Sequence, residues 1–243
     1  MFNNQKVSVV MPAYNEREGV GQTVRAFLNH PYVDEVIVAD NNSTDGTYEI
    51  AQEAGARVVR ESRQGYGYAC RTAIETAKGD LIILTESDNS FYAEDLNLLF
   101  AYIPYFDMVK SARSNHHLIS DDADWTISLM LGNWIVAKYM QLLYFGFKFT
   151  QDMHMREMGG TYRVIKRAAY ELIKPHLTEG QGAFLADMTS IAIKKNLKVL
   201  EIPIRYRGRL GVSKITGSRW RATLLGLRMI WIITRNRYKV LED

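Results

Sequence analysis

The chain has 243 residues, 47% of them hydrophobic and 23% charged, and a formal net charge of +3. That length suits one large α/β domain, with or without an appendage. The single cysteine, Cys70, excludes an internal disulfide and fits a reducing cytoplasm, and no run of eighteen uncharged apolar residues predicts a membrane span.

The N-terminal "MFNNQKVSVVMP" reaches a short apolar run and then a proline, so no signal peptide is expected. "VSVVMP" (7–12), closed by Pro12, reads as a strand buried on both faces. Val20, Val24, Phe27 and Leu28 then stand at helical spacing within residues 16–29. "DEVIVAD" (34–40) predicts a second buried strand, followed by turn residues and a helix from about Asp45. "ARVVRE" (56–61) is a short strand, Gly65 and Gly67 open a helix through Ala77, and "DLIILTE" (80–86) is another strand. This alternation predicts a mostly parallel sheet with helices on both faces. Ligands of such sheets sit at the carboxyl ends of the strands, so "PAYNE", "ADNNSTDGT" and "TESDNS" should gather on one edge.

After residue 106 the pattern changes. "DMVKSARSN" (107–115) reads as a strand, and His116, His117, Asp121, Asp122 and Asp124 as a polar loop. Residues 125–149 are helical, apolar and aromatic, interrupted by Asn133, Lys138 and Gln141, and suit either a membrane interface or the domain's own core. "GGTYRVIKR" (159–167) is a strand entering a helix, "GAFLADMTSIAIKK" (182–195) a helix and "KVLEIPIRYR" (198–207) a final strand.

From Arg205 to Lys239 there are ten Lys or Arg residues and no Asp or Glu, which marks an anionic partner. Residues 219–239 form the clearest helix, with Arg221, Arg228 and Arg235 near one line, apolar residues over much of the remainder, and Trp220 and Trp231 near its ends. A basic, tryptophan-bearing amphipathic helix fits an anionic membrane surface rather than nucleic acid; packing on the protein's own core is the alternative. The predicted division is a catalytic domain over 1–208, with a possible interfacial helix at 125–149, and a membrane-associating segment over 209–243.

The strand tips carry the chemistry. Asp40, Asn41, Asn42 and Ser43 crowd one loop with short hydrogen-bonding groups, which serve either as turn and cap residues or for a base and ribose. Gly65 and Gly67 permit close backbone approach at a helix N-terminus, which attracts phosphate, and Arg71 in the first turns faces a phosphate or a carboxylate. Glu86 and Asp88 stand two apart at a strand tip, so both can aim at one hard cation such as Mg2+ or Mn2+. Such a pair alone is a solvated turn; beside the other tips it reads as a metal-bridged diphosphate site.

Together "VSVVMPAYNE", "DNNSTDGT", "GYGYACRTAI" and "GDLIILTESDNS" resemble the family 2 glycosyltransferases of the GT-A fold. "GGTYRVIKR", "KVLEIPIRYRGRLGVSK" and the basic helix are most similar to the dolichyl- or polyprenyl-phosphate mannose synthase branch. The resemblance implies inverting transfer of a sugar from a GDP- or UDP-sugar to a polyprenyl phosphate, at the cytoplasmic face of a membrane. It places Pro12, Ala13, Tyr14, Glu16, Asp40, Asn41, Gly67, Arg71 and Ser87 at the nucleotide and Glu86 and Asp88 at the metal. Asn41 replaces the family's second acid, and Glu86 stands for the first acid of its Asp-x-Asp. Arg113, Arg163 and Lys214 are expected at the sugar donor's diphosphate or the acceptor phosphate, and Asp152 in the active site. Asp187 would act as base if the acceptor were a hydroxyl, the rival transfer. His154 is a loop residue or a late metal ligand. A non-catalytic sugar-nucleotide-binding protein remains a further reading; the Gly-rich Lys/Arg signature of nucleotidyltransferases is missing.

Overall fold

The computed structural model describes residues 1–123, 126–146, 155–211 and 219–241. Lys214, Asp124, Asp152 and His154 lie outside the described residues, as does part of the predicted 125–149 helix.

Seven strands form one sheet among these residues: β1 (Val7–Ala13), β2 (Glu35–Asp40), β3 (Arg57–Arg60), β4 (Leu81–Leu84), β5 (Met108–Ala112), β6 (Arg163–Lys166) and β7 (Val199–Pro203). Their spatial order is β3-β2-β1-β4-β6-β5-β7. All neighbouring pairs are parallel except the two made by β6, which runs against both β4 and β5. That reversal has a consequence for the site. Leu84, near the carboxyl end of β4, is paired with Arg163 at the start of β6, so β6 enters the edge that the other strands leave.

The helices are α1 (Val20–Leu28), α2 (Thr47–Glu53), α3 (Tyr66–Thr76), α4 (Leu96–Tyr102), α5 (Ile127–Leu143), α6 (Arg167–Ile173), α7 (Phe184–Lys194) and α8 (Arg219–Tyr238). Successive strand residues point to opposite faces, so a strand covered on both sides is mostly apolar on both. In β1, Val9 and Met11 belong to the core beneath α1 and α4, while Val10 belongs to the core that holds α3, α6 and α7. Helix α4 has no counterpart in the sequence reading: its buried Leu96, Leu99 and Phe100 are too few to display a period.

α8 packs against α5 and α7, and its Ile232 and Ile233 are fully buried. The C-terminal helix is therefore built into the core of the sheet domain on one side. Its other side bears Trp220, 70% exposed, and Leu227 and Trp231, 58% and 57% exposed. On α5, Ile127, Leu131, Trp134, Ile135 and Leu142 are likewise exposed. No described helix is long and apolar enough to cross a membrane.

Candidate active site at the carboxyl edge of the sheet

The acidic tip after β4 is held from beneath. The Ser87 hydroxyl donates to the Pro12 carbonyl at 3.0 Å, and the Thr23 hydroxyl to the Ser87 carbonyl at 3.2 Å. Gly19 touches the same turn so closely that a Cβ there would lie 2.8 Å from Asp88 Cα. Asn89 takes the left-handed conformation that turns the chain, a geometry asparagine tolerates. Asp88 is 2% exposed. Its Oδ1 accepts from the Ser90 amide at 3.0 Å and hydroxyl at 2.5 Å, while Oδ2 lies 2.8 Å from Arg209 Nη2. Glu86 accepts from the Thr161 hydroxyl and, at 3.3 Å, from the Tyr66 hydroxyl. Burial first, and then the like charge of Asp88, raises the Glu86 carboxyl above its usual range.

A cavity of about 430 Å3 opens above this tip, within the range of small-molecule sites. Its walls bring together Pro12, Ala13, Tyr14, Glu16, Asn41, Glu86 and Ser87 from the sequence expectations. They add residues that the sequence alone does not assign to the site: Gln64, Tyr66, Gln181, Arg209, Arg221 and Leu225. A smaller cavity of about 120 Å3 adjoins it, lined among others by Glu86, Asp88 and Arg113 and by Leu129, Asn133, Leu225 and Met229 of α5 and α8. Tyr66, Glu86, Gly182 and Leu225 are walls of both.

The remaining predicted residues, apart from Arg113 on the smaller cavity's wall, stand outside these walls. Asp40 is 3% exposed at the end of β2, and its Oδ1 has no hydrogen-bond partner among the described residues. Gly67 lets the loop over Glu179 and Gly180 press on α3, since a Cβ there would meet the Glu179 carbonyl oxygen at 2.7 Å. Arg71 donates to that same carbonyl at 2.9 Å and lies over the Phe184 ring, so it supports the loop from below. Arg163 is fully buried and donates to the Gly160 carbonyl at 2.5 Å and the Thr189 hydroxyl at 3.2 Å, with burial lowering its pKa to about 10. Arg113 pairs with Glu157 and stacks on Tyr206. Asp187 is fully buried; the amides of Thr178 and Glu179 each donate to it at 2.8 Å, and Asn236 Nδ2 at 2.7 Å.

The donor set fits a hard divalent cation. It offers oxygen ligands only, from two carboxylates whose mutual repulsion a positive charge relieves, and it has already drawn in a guanidinium. No group of three or more His, Cys, Asp or Glu arranged to hold a metal occurs among the described residues.

A sequence model described as Glycosyl transferase family 2 matches residues 8–173. Haloferax volcanii supplies two similar proteins. The low-salt glycan biosynthesis hexosyltransferase Agl6 is 32% identical over 215 residues, covering 86% of this chain and 49% of Agl6. Glycosyltransferase AglJ is 26% identical over 210 residues, 84% of this chain and 63% of AglJ. The chain thus spans about half of one relative's length and under two thirds of the other's. Among solved structures, Mycobacterium tuberculosis glucosyl-3-phosphoglycerate synthase, in complex with Mn2+, UDP-glucose and phosphoglyceric acid, superposes with a TM-score of 0.71. The match covers 99% of this chain and 82% of that one at 17% identity, and shows a shared fold.

Proposed function

The chain belongs to glycosyl transferase family 2 and is a glycosyltransferase, and from that premise we propose that it transfers a hexose from a GDP- or UDP-sugar to a polyprenyl phosphate at the cytoplasmic face of a membrane. The observation that carries this reading is the meeting of two unlike cavities at Glu86. The larger, walled by Pro12, Asn41 and Gly65 on the sheet edge, suits a nucleoside diphosphate. The smaller is lined by Arg113 and by apolar residues of α5 and α8, the two helices whose outer faces expose tryptophan and leucine. An anionic head on an apolar tail suits a lining that combines a guanidinium with apolar helix residues.

Glu86 and Asp88 would hold Mg2+ or Mn2+, which supplies charge neutralisation for the departing diphosphate. Tyr14 and the Gly65 turn, which Asn41 holds in place, would bind the nucleoside, and Arg209 and Arg221 are cations on the same wall. A new bond joins an acceptor phosphate oxygen to the anomeric carbon, while the bond to the diphosphate oxygen breaks and its electron pair leaves with that oxygen. Attack from the opposite side inverts the anomeric centre. A phosphate nucleophile is already ionised and requires no general base. Support for that choice comes from Asp187, whose carboxylate is filled by two amides and Asn236. We further propose that residues 209–243 provide membrane association while also lending Arg209 and Arg221 to the site that residues 1–208 otherwise build.

The test incubates the protein with UDP- and GDP-hexoses, Mn2+ and polyprenyl phosphate in anionic vesicles. A lipid-soluble product whose sugar is released by mild acid is expected, and Asp88→Ala should abolish it. A glycoside stable to mild acid would transfer the assignment to a hydroxyl acceptor.

A further inference from the structure

Arg209 follows β7 and reaches back over the acidic tip. Its Nη2 lies 2.8 Å from Asp88 Oδ2 and 3.5 Å from Glu16 Oε1. The backbone on either side fixes that aim: the Leu210 amide donates to the Asp88 carbonyl at 2.9 Å, and the Arg207 amide to the Ser90 carbonyl at 3.1 Å. Arg207 adds a side-chain bond to the Asn89 carbonyl at 2.6 Å. Yet the Nε of Arg209 is buried and has no hydrogen-bond partner among the described residues, while the side chain forms part of the large cavity's wall. Buried donors without a partner are rare and carry a desolvation cost, so this guanidinium is only half satisfied by the protein.

We propose that Arg209 is the resident counter-cation of the acidic tip, and that it makes divalent-metal binding contingent on a nucleoside diphosphate. The identity of that anion rests on the transferase reading above. A guanidinium and a metal ion compete for the same Asp88 oxygen. With no anion in the cavity, Arg209 has Asp88 and Glu16 as partners, and a metal ion must displace it. A diphosphate supplies new oxygens that match the planar fork of arginine, so the guanidinium can turn to it and release Asp88. Metal and diphosphate therefore favour each other, and linkage makes the effect equal in both directions. In this role Arg209 is a binding residue that sets the order of loading.

Mn2+ binding, measured on the full chain with Mn2+ alone and then with UDP or GDP present, tests the idea without reference to sugar transfer. Arg209→Gln and Arg209→Met are compared with the wild type, and Arg209→Lys retains the charge. In both neutral variants Mn2+ alone should bind about tenfold tighter, and the enhancement by UDP or GDP should shrink by about the same factor, a typical coupling magnitude. Arg209→Lys should stay near the wild type. Equal affinity for Mn2+ alone in the wild type and in whichever neutral variant folds would overturn the proposal, as would absence of Mn2+ binding in all of them. Transfer assays decide the function separately, so the two conclusions can fail independently.

Discussion

Both amide hydrogens of Asn41 are committed to main-chain carbonyls, those of Glu61 and Arg63, each at 2.9 Å. Its oxygen accepts from the Gly65 amide at 2.8 Å. Asn41 thus ties the end of β2 to the turn before α3, and that turn is a wall of the larger cavity. A carboxylate cannot donate, so it would face two carbonyl oxygens with like partial charge. This explains why an amide stands where the family pattern has an acid. Asn41→Asp should cost roughly 1–3 kcal/mol, the scale of buried groups left unmet, and lower Tm by several degrees. Nucleotide affinity should fall with it; a thermal melt with and without UDP and GDP reads both.

At the scale of elements, α8 serves two surroundings. Met229, Ile232 and Ile233 face the core, and Lys194 of α7 caps the far end by donating to the Asn236 and Arg237 carbonyls at 2.7 and 2.9 Å. Arg228 binds Glu179, and Arg235 lies 3.4 Å from Asp187, so arginines that the sequence suggested for lipid are partly used inside the molecule. The exposed residues, Trp220, Leu224, Leu227 and Trp231, fall at spacings of four, three and four, which is one helical stripe. Replacing Trp220 and Trp231 together by Ser removes about 1.5–3 kcal/mol of apolar transfer per side chain. Partition onto anionic vesicles should drop by at least about tenfold at that energy. The melting temperature should be little changed, because both rings are outside the core. Unaltered vesicle binding would count against the membrane assignment.

For the molecule as a whole, acid stability depends on the turn that frames the cavity. Hydrogen bonds from Arg63, and then from Thr72, hold the Glu61 carboxyl down to about 2 against the cost of its burial. A depressed native pKa means that this stabilisation is present above the ordinary value of 4.5 and is lost as pH falls toward 2. Arg63 is 62% exposed, so solvent screening weakens this contribution. Glu61→Gln should lower stability at neutral pH and flatten the acid limb of a denaturation profile between those values. An unchanged acid limb would show that other carboxylates govern it.

Much of the fold was legible because both-side burial writes itself into a strand as an apolar run, as in Leu81–Leu84 and, but for Ser8, in Val7–Met11. The same runs end in polar tips, and parallel strands must bring such tips to one edge, so Pro12, Asn41, Glu86 and Ser87 were legible as one cavity wall. Arg209 was not, since its bond to Asp88 spans residues far apart in the chain and depends on how β7 and its following loop return over β4. Nor was the burial of Arg163, which follows from β6 lying between β4 and β5 in the interior of the sheet. Composition and local period determine which segments bury both faces and where each strand ends. Only the tertiary structure decides which distant charge arrives at a given carboxylate, because electrostatic partners are selected by proximity in space and leave no period in the sequence.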